Sequence, residues 1–268
     1  MTPTGVRLEQ KENPYYMLRR VYDMRNMVFS GVILALCVLL AAAGCVSQTN
    51  SPPVQATATP TATIPPGVTP TPAVTIATPD ANATQTTFLS IAPATLSDAE
   101  KQDVTYLQES EKLERDLYAK FAQQYTSVPV FGNLAQIAGI YMTADNVILQ
   151  RYNITNPELN DPGKFTNKKL QNLYNTFVDA GSTSLASALN AAATSEDMHI
   201  ADLESALLRT DNADVKFIYR QELAFSRNSL RALSQTITAF GGTYSPTYLT
   251  KEYYNALIGS PVEPVPLI

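Results

Sequence analysis

The chain has 268 residues, 18 of them proline, with 16% charged residues, a formal net charge of -5 and two cysteines. From Leu96 onward carboxylates outnumber cations, which disfavours nucleic acid as a partner. Cys37 and Cys45 both lie in one N-terminal apolar run, so the remainder holds no disulfide and no thiolate; its chemistry must come from carboxylates, tyrosines or the single histidine.

In chain order, the first recognisable element is the uncharged run Met27 to Cys45, preceded by Arg19, Arg20 and Arg25. A basic flank, an apolar core and a small-residue end predict a signal peptide, with translation starting at Met24 or Met27. Leu40-Ala41-Ala42-Ala43-Gly44-Cys45 resembles the lipobox of secreted lipoproteins, which would make Cys45 a lipidated first residue. The competing reading is an uncleaved membrane helix, since the run approaches the ~20 residues that span a bilayer. Either way the chain is expected at the outer face of the cytoplasmic membrane, with the membrane itself as the one partner its N-terminal anchor implies. From Val46 to Thr95 Thr, Pro, Ala and Val dominate, and Asp80 is the only charge. So little large apolar surface cannot offset the entropy of ordering, so a disordered, extended spacer is expected. Asn82-Ala83-Thr84 in this spacer and Asn153-Ile154-Thr155 further on are glycosylation sequons. Residues 1–45 thus read as extension and anchor, 46–95 as linker, 96–258 as a helical domain and 259–268 as a tail.

Ser97-Asp98-Ala99-Glu100 fits a capping box that opens a helix predicted to about Tyr125. Its seam, Val104, Leu107, Glu111, Glu114, Tyr118, Phe121 and Tyr125, turns two carboxylates inward. A second helix is predicted from about Phe131 to Tyr152, with Leu134, Ala138, Tyr141, Asp145, Ile148 and Tyr152 in line. After a Pro/Gly-containing loop comes a shorter helix from about Asn167 to Asp179, with Gly181 as its expected C-terminal cap. The next helix, about Thr183 to Arg209, carries the only histidine. Its seam is Leu185, Leu189, Ala192, Glu196, His199, Leu203 and Ala206, so a carboxylate and an imidazole stand where apolar residues belong. A last long helix runs to Phe240, stopped by Gly241-Gly242, and turns Glu222 inward; a tail helix near Lys251 to Leu257 follows, capped by Thr250. Four long helices, one short inserted helix and short connections predict an all-α, antiparallel four-helix bundle.

Several stretches in the same order, Glu109-Ser110-Glu111-Lys112-Leu113-Glu114-Arg115-Asp116-Leu117-Tyr118, Ile200-Ala201-Asp202-Leu203, Thr210-Asp211-Asn212, Ser226-Arg227-Asn228 and Tyr244-Ser245-Pro246-Thr247-Tyr248-Leu249, give a resemblance. From about Leu96 to Leu257 the chain resembles an uncharacterised ferritin-like domain of archaeal and bacterial secreted proteins. The resemblance implies a ferritin-like four-helix fold with metal-ligand candidates on the helix faces. The chain departs from that pattern. Ala138 and Tyr141 stand where the second helix has Glu-x-x-His, Ser229 where the last helix has histidine, His199 where an aspartate is usual and Glu114 where a small residue is usual. A two-metal site of about four carboxylates and two imidazoles is excluded by the single histidine. One Fe or Mn ion held by Glu111, Glu196 and His199, with Glu114 or Glu222, fits the donor types.

Each of these residues also has a structural reading. Glu196 and His199 can satisfy each other's neighbourhood, Arg227 and Arg231 can neutralise Glu111 and Glu114, Tyr141 can donate its hydroxyl to that network, and Asp197, Asp202 and Glu204 read as a solvated face. The residues alone therefore favour a membrane-anchored, surface-displayed binding or structural module with a degenerate metal site. The alternative is an oxidoreductase-type metal-binding protein that uses the reduced Glu/His set.

Overall fold

The computed structural model describes residues 81–264; the predicted signal or anchor segment with Cys45, and the spacer as far as Asp80, lie outside the described residues. Among the described residues there are seven helices and no strand: α1 Ala81–Ser90, α2 Asp98–Gln124, α3 Pro129–Arg151, α4 Lys168–Gly181, α5 Leu185–Arg209, α6 Ala213–Ala239 and α7 Lys251–Ile258. None of them is long and apolar enough to cross a membrane.

The helix ends follow local chemistry. Ser97 Oγ accepts the Glu100 N–H while Glu100 Oε2 accepts the Ser97 N–H at 2.7 Å, the reciprocal pair that the sequence predicts for the start of α2. Pro129 opens α3, where its missing N–H costs nothing. Asn167, Ser184 and Thr250 cap α4, α5 and α7 through their side chains. Gly241, with φ of 74°, ends α6 by letting the Gly242 N–H reach the Ile237 carbonyl at 2.9 Å. Gly181 behaves otherwise. It remains helical, and a Cβ there would lie 2.2 Å from Phe121 Cζ, so its role is close approach of α4 to α2 and Ser182 takes the cap position.

Helix α2 packs most extensively on α3 and α5 on α6; α2 also packs on α5, and α3 on α6. The long helices thus close a ring in the order α2–α3–α6–α5, with α4 against α5 and α2 and with α7 on α6. The core runs through the ring: Leu107, Leu117, Phe121, Phe131, Leu134, Ile148, Leu189, Ala192, Leu203, Ile218, Phe225 and Leu233 are all buried. Helix α1 corrects the C-terminal end of the spacer expectation. Phe88 is fully buried, and Arg151 donates to the Phe88 carbonyl at 2.7 Å and to the Ile91 carbonyl while its guanidinium stacks 4.8 Å from the Phe88 ring. Phe88 and Arg151 thus tie to the bundle a stretch whose composition alone reads as unstructured.

Candidate metal centre

Each long helix turns a carboxylate into the ring. Helix α2 supplies Glu111 and Glu114, α3 Asp145, α5 Glu196 with His199, and α6 Glu222; none of the six is more than 1% exposed. The pairs spaced three apart on α2 and α5 lie on one face of their helices because 3.6 residues make a turn. The five residues singled out from the sequence, Glu111, Glu114, Glu196, His199 and Glu222, therefore all point to the same interior.

Ligand atoms of Glu111, Glu114 and His199 lie within 4.8 Å of one another. His199 Nε2 stands 2.9 Å from Glu111 Oε1, yet neither atom has a hydrogen-bond partner: the two approach without the alignment a hydrogen bond needs. Two ligands at about 2.1 Å from one ion, at a right angle, stand about 3 Å apart, so this contact has a length that a shared cation accommodates as well as an ion pair does. The other ring nitrogen, Nδ1, is 3.1 Å from Ser110 Oγ, which fixes the imidazole plane. Tyr118 donates its hydroxyl to Glu196 Oε1 at 2.9 Å and Ser195 donates to Glu114 Oε1 at 3.1 Å. Asp145 and Glu222 contact each other carboxyl to carboxyl, a hydrogen bond only when one of them carries a proton.

What the centre lacks is a lysine or arginine: none among the described residues is paired with any of its five carboxylates, the His199 imidazole beside Glu111 is the one basic group there, and apart from the contact between Asp145 and Glu222 both oxygens of Glu111, Asp145 and Glu222 and Oε2 of Glu196 are buried without a hydrogen-bond partner. Burial pushes Glu111 up to about 8. Glu114 rises to about 7, through burial first, with His199 opposing and Glu111 adding. Asp145 rises to about 8, from burial and then the Glu111 charge. Glu196 and Glu222 are also raised well above the ordinary carboxylate range, by burial and then by Glu114 and Asp145 respectively. The Glu111 charge acts on all four of the other carboxylates.

Several structural readings of the sequence are corrected. Arg227 and Arg231 do not reach Glu111 or Glu114: Arg227 pairs with Glu204 at 2.9 Å and Glu263 at 3.3 Å, and Arg231 with Glu263 at 2.9 Å. Asp197 is not a solvated residue. It is fully buried and accepts the N–H groups of Thr247, Tyr248 and Leu249 and the Tyr244 hydroxyl. Asp202 accepts the Tyr106 hydroxyl at 2.8 Å, and Glu204 accepts Arg227 and the Tyr253 hydroxyl. Tyr141 places its hydroxyl 3.4 Å from the Gln221 carbonyl, so Tyr118 is the tyrosine that donates to a carboxylate of the centre. Asp145 was the residue missed. Its signal was an acid inside the otherwise apolar seam of α3. Of the sequons, Asn82 falls in α1 and Asn153 is exposed, with φ of 54°, just after α3.

Comparison with known proteins fits this region of the chain. The uncharacterized protein MJ0754 of Methanocaldococcus jannaschii is 37% identical over 175 residues, which are 65% of this chain and 94% of that relative. The crystal structure of hypothetical protein MJ0754 from Methanococcus jannaschii DSM 2661 matches with a TM-score of 0.63 at 36% identity, over 65% of this chain and 99% of that one. The family model described as "Uncharacterized protein domain (DUF2202)" matches residues 100–261, a stretch that contains all six residues of the centre. The chain belongs to the DUF2202 family.

Proposed function

We propose that the protein is a membrane-anchored metal-binding protein, in which a ferritin-like four-helix bundle holds Fe(II) or Mn(II) in the Glu/His centre. The observation that carries this reading is a set of buried carboxylate oxygens that, among the described residues, no lysine, arginine or backbone N–H meets, gathered around the one histidine. A buried charge is tolerated when paired or bound to a metal, and a structural polar network satisfies its members. Asp197 shows what satisfaction looks like in the same molecule, and the centre does not resemble it. The site therefore favours the metal-binding reading over a purely structural module.

The donor set fits the ion. Five carboxylates and one imidazole are hard and borderline ligands that suit Fe(II) and Mn(II), whereas structural zinc sites are built mainly from thiolate and imidazole. Glu111, Glu114 and His199 are the residues best placed to hold an ion, with Glu196 beside them. Ser110 orients the imidazole, and Tyr118 and Ser195 each occupy one lone pair of a carboxylate, which directs the remaining oxygens inward. Such an ion supplies one-electron redox chemistry when bound. Display at the membrane rests on the sequence alone, on Leu40 to Cys45 and the Thr/Pro spacer.

The test uses the full chain in detergent, loaded anaerobically with Fe(II) or Mn(II) and assayed for metal per chain. Stoichiometric metal that His199→Ala releases is the expected result. Well-folded wild type that retains no metal would refute the reading. Mass spectrometry of the membrane fraction tests the anchor: a lipid-modified N-terminal Cys45 is expected, and an unmodified intact N-terminus counts against it.

A further inference from the structure

The two glycosylation sequons play no part in the metal centre, and the fold treats them differently. Asn82-Ala83-Thr84 lies in the helical backbone of α1. Asn153-Ile154-Thr155 lies just past the last turn of α3, where the Asn153 N–H reaches the Gln150 carbonyl at 3.2 Å and the Ile154 N–H reaches the Leu149 carbonyl at 2.8 Å. These two bonds make a Schellman cap, with Asn153 in its left-handed position at φ of 54° and Ile154 as the apolar residue that follows. Ile154 packs against the core, while its neighbours Asn153 and Thr155 are both exposed.

Capping explains part of this arrangement. It favours Gly or Asn at 153 and an apolar residue at 154, and it requires nothing of residue 155. Neither the Asn153 amide nor the Thr155 hydroxyl has a hydrogen-bond partner among the described residues. Other polar side chains of the same loop are engaged. Asn156 donates to Asn146 Oδ1 at 2.7 Å and accepts the Glu158 N–H at 2.8 Å, and Thr166 donates to the Pro157 carbonyl at 2.9 Å.

We propose that Asn153 carries an N-linked oligosaccharide, received at the outer face of the membrane from a lipid-phosphate-linked donor. The proposal rests on the display half of the reading above and not on the metal. Transfer joins Asn153 Nδ2 to the anomeric carbon of the sugar and breaks the bond from that carbon to the carrier's phosphate. The phosphate leaves with the bonding pair, and one amide proton passes to a base of the transferase. An acceptor has to present its amide and the hydroxyl two residues on to one active site. The 153–155 segment does so, with the residue between them anchored behind. In a helix, positions two apart do not share a face, so the sequon in α1 lacks that arrangement. Arg151, two residues before Asn153, holds the Phe88 and Ile91 carbonyls, which puts the sugar beside the joint between spacer and bundle.

The full chain is extracted in detergent from the membranes of the cells that make it and digested with trypsin. The peptide Tyr152 to Lys164, which contains this sequon alone, is then analysed by mass spectrometry. Wild type is expected to exceed the bare peptide by the mass of one oligosaccharide, localised to Asn153. Asn153→Gly, made in the same cells, keeps a residue suited to the left-handed cap and is expected to lose the added mass. Thr155→Ala is expected to lose it too, and Thr155→Ser to retain it. A bare wild-type peptide would overturn the proposal, as would a sugar on Asn82 with Asn153 bare, or a sugar that persists on Asn153 in Thr155→Ala. A bare peptide from chain whose Cys45 is lipid-modified removes this site and leaves display standing. A bare peptide from chain with an unmodified, intact N-terminus removes both.

Discussion

Two sets of buried carboxylates share this domain and are treated in opposite ways. At the periphery every acid is met. Asp197 takes three backbone N–H groups and a phenol, Glu100 takes Ser97, Thr210 and Asn212, Asp116 takes Lys112, Arg115 and the Gly163 N–H, and Glu109 takes the N–H groups of Thr166 and Asn167. In the centre, five acids of similar burial have two hydroxyl donors among them and the His199 imidazole beside Glu111, and among the described residues no lysine or arginine. The first set ties loops to helices: Asp197 holds the 244–249 segment across α5, and Asp116 and Glu109 hold the 161–167 segment against α2. The second set joins helix to helix at a cost, because a desolvated carboxylate without a partner is among the least favourable groups a core can contain. Burial alone does not distinguish structural from functional acids here; the presence or absence of donors does.

The comparison is broken most severely at Asp197. Asp197→Ala leaves four donors without their acceptor, and at about 1–3 kcal/mol for each one that stays buried, with part of the segment reaching water, the expected loss is about 4 kcal/mol. For a domain of this size that lowers the melting temperature by about 10 °C, read by circular dichroism; a change under about 2 °C would show the anchor to be dispensable. Glu222→Gln should act in the opposite direction in metal-free protein. Glu222 must take up a proton or bury its charge to fold, so replacing it by a neutral group of the same shape is expected to stabilise by about 1–3 kcal/mol, and a lower melting temperature at pH 8 would contradict it. The pH profile carries the same sign. Glu111 titrates near 4.5 when unfolded and about 8 when folded, so between those values the folded chain keeps a proton that the unfolded chain has released. Metal-free stability therefore falls as pH rises from about 5 to 8, by about 1.4 kcal/mol per pH unit for each such group. Bound metal requires the deprotonated carboxylates and should reverse that slope.

Much of this was legible because helices repeat. The three-four seams placed Glu111, Glu114, Glu196, His199 and Glu222 inward, and the helix ends fell within a few residues of their caps. Asp145 stood in an equally clear seam but without a second acid or a histidine three or four positions away, so nothing on its own helix marked it as more than a single buried acid. The partner of Glu111 and Glu114 was misread for a reason visible in the same periodicity. Arg227 and Arg231 are four apart and share a face, while Glu222, Ser226 and Ser229 share another, so no rotation of α6 presents both sets to α2. What periodicity cannot show is the distant partner. Glu263 and Ser260, which hold Arg231 together with the Leu257 carbonyl at the end of α7, and the 247–249 backbone, which holds Asp197, come from irregular chain whose path no local pattern encodes. Helix α1 was lost for the same reason, since its order depends on Arg151, about 60 residues away in sequence.

The smallest perturbation tests whether the two sets are independent. Ser97→Ala removes the acceptor for the Glu100 N–H and one donor to Glu100 Oε2, but leaves the Ser97 N–H, Thr210 and Asn212 on that carboxylate. The loss expected at pH 7 is about 1 kcal/mol, the ordinary worth of an N-cap side chain. Burial tends to raise Glu100, but the donors from Thr210, Ser97 and Asn212 outweigh it and hold the group at about 2, below its ordinary 4.5. Its contribution to stability is therefore complete above about 4.5 and disappears as pH falls through 2. With one donor fewer the folded value rises, so in Ser97→Ala the acid limb of the melting profile should still begin near 4.5 but end at higher pH, with a smaller loss. The alkaline limb belongs to Glu111 and its neighbours, three turns further along α2 and about 16 Å away along the axis, a separation at which substitutions ordinarily add. It should not move. If both limbs shift together, the satisfied and unsatisfied acids form one coupled system, and the centre's charge is managed partly by the periphery that here looks separate from it.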